Sequence, residues 1–116
     1  MIILEDDKST QNFYKRIFAN NFQLRIFSSH IPFFDSFYAE PCDILIVDIS
    51  LEEGMSGLEI TQKIRGDSKF KYLPIICITA HSFQRDKINA LNSGINEIII
   101  KPIGINALRE IINKYV

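Results

Sequence analysis

Apolar residues fall in short runs along the chain, and several of these runs close on a polar group. Ile44-Leu45-Ile46-Val47 has no polar break and ends on Asp48. A run of that length is too short for a helix. It reads as a strand buried on both faces, the pattern of a parallel sheet. Ile2-Ile3-Leu4 ends on Glu5-Asp6-Asp7, Ile75-Ile76-Cys77-Ile78 on Thr79, and Ile98-Ile99-Ile100 on Lys101-Pro102. From Phe22 to Phe27 the pattern changes to alternation, with Phe22, Leu24 and Ile26 set against Gln23 and Arg25. That predicts a strand with one face less buried, near a sheet edge.

Between these runs the spacing turns helical. From Lys8 to about Asn20, Phe13 with Ile17 and Tyr14 with Phe18 are i,i+4 pairs, and Asp7 or Ser9 can cap the start. Ser28-Ser29 offers a cap for a short helix from about His30 to Tyr38, with Pro32 at an early position that tolerates proline. Leu58, Ile60, Thr61 and Ile64 predict a helix to about Asp67, after a loop with two glycines, Gly54 and Gly57. Phe83 to Ser93 predicts another, stopped by Gly94, and Asn106 to Tyr115 the last, with Leu108, Ile111, Ile112 and Tyr115 on one side. The result is five strand-then-helix units with strands starting near residues 2, 22, 44, 74 and 97. That rhythm implies an α/β fold with right-handed crossovers and helices on both faces of a parallel sheet.

Composition narrows the picture without changing it. The 116 residues suit one domain, residues 1–116, with its own core. Net charge is −1, from 13 basic and 14 acidic residues interspersed along the chain, so no nucleic-acid or membrane partner is indicated. No apolar run approaches the roughly 18 residues of a membrane span. Cys42 and Cys77 make no disulfide framework, and Cys77 reads as a small core residue. Reduced thiols fit a cytoplasmic chain. Of the aromatic residues, Phe33, Phe34, Phe37 and Tyr38 are dense for one short helix, which raises the question of an exposed contact surface.

In a parallel sheet the carboxyl ends of all strands lie on one rim, where α/β folds bind ligands. That rim gathers Glu5, Asp6, Asp7, Asp48, Thr79 and Lys101. Two carboxylates about 4 Å apart repel by about 4 kcal/mol at an effective dielectric of about 20. Three together call for a cation, and all-oxygen ligands suit a hard ion such as Mg²⁺, which keeps waters and accepts phosphate oxygens. A carboxylate can itself be a nucleophile toward phosphorus. Asp7 is the least secure of the acids, because helix capping explains it as well as metal binding does.

Five stretches resemble the response-regulator receiver domain, the CheY-like family. They are Ile3-Leu4-Glu5-Asp6-Asp7, Asp43-Ile44-Leu45-Ile46-Val47-Asp48, Gly54-Met55-Ser56-Gly57-Leu58-Glu59, Pro74-Ile75-Ile76-Cys77-Ile78-Thr79-Ala80 and Ile100-Lys101-Pro102, in the family's order. The resemblance implies a flavodoxin-like (βα)5 fold with strand order 2-1-3-4-5. It implies that Asp48 accepts a phosphoryl group from a phosphohistidine on a histidine kinase or histidine phosphotransfer protein. Asp6 and Asp48 would ligate Mg²⁺ directly, Glu5 through a water, and Ser50 through its backbone carbonyl. Thr79 and Lys101 would hold the phosphoryl oxygens, and the Lys101–Pro102 bond would be cis. Output would lie on the fourth helix, fifth strand and fifth helix, a face that can also pair two copies.

The chain departs from the family pattern in places. The loop after the acceptor lacks the usual proline and has one residue more before its glycine. Ile98 stands where many members carry Tyr or Phe, so a relay through a swinging ring is not available. The resemblance implies that His81, two past Thr79, would stand beside the path of a hydrolysing water and is a candidate for tuning phosphoryl lifetime; an exposed loop histidine explains it more simply.

Rival functions fit less well. A haloacid-dehalogenase phosphatase needs a second acid two residues after its aspartate, where this chain has Ser50. A nucleotide-binding domain needs a glycine-rich loop after the first strand, where this chain has Glu5-Asp6-Asp7-Lys8. The serious rival is a pseudo-receiver, an interaction module that no longer takes phosphate; Glu5, Asp6, Asp48, Thr79 and Lys101 argue against it. With Val116 one predicted helix past the site, the chain reads as a stand-alone regulator or as a piece of a larger regulator or hybrid kinase, and the few residues before Ile2 hint at trimming.

Overall fold

The computed structural model describes residues 1–49, 51, 54–80 and 94–116. Five parallel strands form one sheet: β1 (Ile2–Leu4), β2 (Arg25–Phe27), β3 (Leu45–Asp48), β4 (Ile75–Thr79) and β5 (Glu97–Ile100), in the order β2-β1-β3-β4-β5. The described residues contain four α-helices: α1 (Lys8–Phe18), α2 (His30–Ala39), α3 (Gly57–Arg65) and a C-terminal helix (Ile105–Asn113). This is the flavodoxin-like arrangement expected from the sequence. The helix predicted over 83–93 lies outside the described residues, as do Ser50 and His81.

Unbroken apolar strands give the sheet two buried faces, and alternate residues of each strand supply them. Ile2, Leu4, Leu45, Val47, Ile75 and Cys77 face α2 and α3, where Phe33, Phe37, Ile60 and Ile64 complete the core. Ile3, Ile44, Ile46, Ile76, Ile78 and Ile99 face α1 and the C-terminal helix, meeting Tyr14, Phe18, Leu108 and Ile112. Cys77 is fully buried, as the sequence indicated. The aromatic run on α2 divides: Phe33, Phe34 and Phe37 are core, while Tyr38 is exposed.

One predicted strand is shorter than its pattern. The alternation over 22–27 yields only β2, Arg25–Phe27. The N–H groups of Asn21 and Phe22 both donate to the Phe18 carbonyl, 3.0 Å each, in the turn that ends α1. The Phe22 ring then packs edge-on against Phe18, centroids 5.8 Å apart. Phe22 is therefore part of the α1 exit, and its apolar character serves that contact rather than a strand face.

Candidate functional site

The carboxyl ends of four strands, β1, β3, β4 and β5, build the rim. Glu5 and Asp6 follow β1 directly, and Asp7 then takes the N-cap of α1, accepting from the Thr10 N–H at 2.8 Å and the Thr10 hydroxyl at 2.7 Å. Capping is thus the role the structure gives Asp7, and its carboxyl is held below the usual range by those two hydrogen bonds. Asp48 ends β3 and is nearly buried. One carboxylate oxygen from each of Glu5, Asp6 and Asp48 lies within 4.8 Å of the other two. Thr79 ends β4, one residue past Ile78, the register partner of Asp48. Its carbonyl accepts the Lys101 N–H at 2.7 Å, so the β4 and β5 exits leave the sheet together.

Lys101 is the cation of the cluster. Its Nζ stands 3.0 Å from Glu5 Oε1 and 3.5 Å from Asp48 Oδ2. Burial pulls its ammonium toward neutrality, but the hydrogen bond it donates to Glu5 and the charges of Asp48 and Glu5 outweigh this and raise its pKa. The Lys101–Pro102 peptide is cis, as the resemblance implied.

Glu5 is the most perturbed acid. Only 1% of it is exposed, and burial is the largest influence on its carboxyl. The Asp7 N–H, donating at 3.1 Å, opposes burial; Asp48 adds to it; Lys101 opposes it again. The net effect lifts the Glu5 pKa from 4.5 to about 7. Among the described residues, one ammonium does not compensate the three gathered carboxylates, and the donor set is all oxygen, so the residues fit a hard divalent cation.

Two groups at this rim escaped the sequence reading. Gln11 is buried, and its amide donates to the Glu5 carbonyl and, at 3.0 Å, to Ser28 Oγ, tying the β1 exit to the β2 exit. A glutamine in an amphipathic helix gives no sign of this. The second is the capping box of α3: Ser56 Oγ accepts from the Glu59 N–H at 3.2 Å, and Glu59 Oε1 from the Ser56 N–H at 3.3 Å. The Ser-x-x-Glu spacing was there to be read. Ile98 lies in β5 opposite Cys77, half-buried against the α2–α3 side of the core.

A parallel sheet in this strand order, with an acid-and-lysine rim at its carboxyl ends, is the architecture of a signalling receiver. The chain belongs to the response regulator receiver domain family, whose model matches residues 1–113. It is a CheY-like receiver domain of two-component systems. Among its relatives is chemotaxis protein CheY1 of Helicobacter pylori, 42% identical over 67 residues, covering 58% of this chain and 53% of that protein. Chemotaxis protein CheY of Pseudomonas aeruginosa is 32% identical over 72 residues, 62% of this chain and 57% of that one. The chain spans about half the length of the curated relatives it matches. Among solved structures, a Vibrio cholerae CheY4 superposes with TM-score 0.90 at 16% identity, covering 99% of this chain and 96% of that one. The receiver domain of a Pseudomonas aeruginosa sensor histidine kinase, solved with magnesium ion coordinated in the active site cleft, superposes with TM-score 0.87 at 23% identity, covering 98% and 93%. These likenesses show the fold. No helix among the described residues is long and apolar enough to cross a membrane.

Proposed function

We propose that Asp48 accepts a phosphoryl group from a phosphohistidine of a histidine kinase or histidine phosphotransfer protein. The observation that carries this reading is the geometry of Lys101, whose ammonium touches Glu5 and Asp48 where three carboxylate oxygens converge. Asp6 and Asp48 would hold Mg²⁺ directly, Glu5 through a water and Ser50 through its carbonyl. When bound, the ion screens the carboxylates and the phosphate oxygens from one another. An Asp48 carboxylate oxygen attacks phosphorus, the acyl-phosphate O–P bond forms, the P–N bond to imidazole breaks, and the leaving nitrogen keeps its electron pair. Lys101 shifts from carboxylate to phosphate, and the Thr79 hydroxyl donates to a phosphoryl oxygen.

Phosphorylation puts a group of about −1.5 to −2 charge, with three acceptor oxygens, where the carboxylate carried a single negative charge. Because the Thr79 carbonyl is bonded to the Lys101 N–H, a pull on either residue moves both loops. The output is then a change in the face to which β5 and the C-terminal helix contribute, a face that can also pair two copies. Ile98 leaves that switch to the loops alone. His81 tunes the lifetime of the acyl phosphate, and His81→Ala is expected to change the half-life of the phosphorylated chain. The test of the whole reading is incubation with acetyl phosphate, followed by intact mass. One phosphoryl group is expected with Mg²⁺, and none with chelator or in Asp48→Asn. A chain that stays unmodified with Mg²⁺ is the pseudo-receiver instead.

A further inference from the structure

The loop that leaves the acceptor strand is held from the side by a histidine to which the phosphotransfer reading gives no task. His30 opens α2, and its Nδ1 accepts a long hydrogen bond, 3.5 Å, from the Met55 N–H. Beside Met55, Gly54 has φ +74°, and a Cβ there would stand 2.2 Å from both Nδ1 and Cε1 of His30. The imidazole edge therefore lies against bare backbone, in space any other residue type at 54 would fill.

That contact is linked to the acceptor through the start of α3. Ser56 is locked in its capping box, and the next residue, Gly57, donates its N–H to the Ile49 carbonyl at 3.2 Å. A Cβ on Gly57 would lie 2.5 Å from the Asp48 carbonyl oxygen and 2.9 Å from Ile49 Cα. So the α3 start rests directly on the backbone of Asp48, and a displacement of Gly54–Met55 is passed to it over two residues. The loop also carries one residue more before its glycine than the family pattern, which increases its need of a lateral anchor.

We infer that His30 is a positioning residue for the phosphoacceptor: its imidazole fixes Gly54 and Met55, and through Ser56 and Gly57 fixes the Asp48 backbone that orients the carboxylate toward a divalent cation. This inference rests on the phosphotransfer reading above. Groups that orient metal ligands are worth about 10- to 100-fold in metal affinity, and a brace acting through backbone belongs at the lower end.

The test compares His30→Phe, which keeps ring bulk and loses the acceptor, with His30→Asn, whose amide oxygen can stand near the position of Nδ1. His30→Ala is a second loss variant that makes no steric demand, used should the phenylalanine not fold. The readouts are Met55 amide exchange in the metal-free chain and Mg²⁺ affinity by titration. Faster Met55 exchange and about tenfold weaker Mg²⁺ binding are expected in His30→Phe and His30→Ala, with both restored to about twofold of wild type in His30→Asn. A folded loss variant with wild-type exchange and affinity overturns the inference, and so does an asparagine variant as impaired as the others. A wild-type chain that takes up neither Mg²⁺ nor phosphoryl groups refutes the phosphotransfer reading, while Met55 exchange still judges the brace.

Discussion

Replacing Glu5 with glutamine should stabilise the metal-free chain at alkaline pH while weakening the site. Glu5 is 1% exposed and its carboxyl is lifted from 4.5 to about 7, chiefly by burial. Between those values the folded chain keeps a proton that the unfolded chain has released. Stability contributed by the protonated carboxyl is therefore complete below about pH 4.5 and lost as pH rises through about 7. At about 1.4 kcal/mol per pH unit, the cost of ionising Glu5 in the fold reaches about 3 kcal/mol above that pH. The amide retains an oxygen for the Asp7 N–H, and Lys101 retains Asp48 at 3.5 Å. Urea unfolding with chelator present, followed by circular dichroism, is the assay. The stability gain of Glu5→Gln over wild type should grow by about 2 kcal/mol between about pH 5.5 and about pH 8.5. Excess Mg²⁺ should shrink or reverse the gain at alkaline pH, because the ion favours the ionised acid. Parallel pH profiles for the two chains would refute the claim that burial neutralises Glu5.

Other substitutions probe neighbouring parts of the account. Lys101→Met leaves Glu5 and Asp48 without their shared cation, so it should destabilise by about 2 kcal/mol at about pH 8.5 and by less at about pH 5.5, where Glu5 takes up a proton; urea midpoints at the two pH values check this. Phe37→Ala empties a fully buried site between Phe33 and Phe70, with ring centroids 5.2 and 4.7 Å away, and should cost about 3–5 kcal/mol by denaturant unfolding. Its effect on Mg²⁺ affinity in the fraction that remains folded should be small, since that ring lies on the core side of α2 rather than at the rim.

Legibility in the sequence followed how local each cause was. The four strands with continuous apolar runs were readable because burial on both faces leaves no polar break. Their last residues were readable as a site because parallel strands share one rim. Asp7 was readable as a cap from its place ahead of an amphipathic helix. Phe22 was misassigned because alternation records only that a side chain is half-buried, not whether a strand or a helix exit buries it. Gln11, and the His30–Gly54 contact, gave no signal because each depends on two segments meeting in space. Arg65 is the same: it donates to the carbonyls of Phe70 and Gly94 and to Asn96 Oδ1, joining α3 to the chain before β5, yet it reads as an exposed helix residue.

The central claim is that one particular carboxyl oxygen becomes an acyl phosphate. Borohydride reduction after treatment with acetyl phosphate and Mg²⁺, followed by peptide mapping, tests it most directly, since the reductant converts an aspartyl phosphate to homoserine. Homoserine at Asp48 alone, absent when Mg²⁺ is chelated, is the predicted result. Homoserine at another acid, or nowhere in a chain shown to be folded, would contradict it.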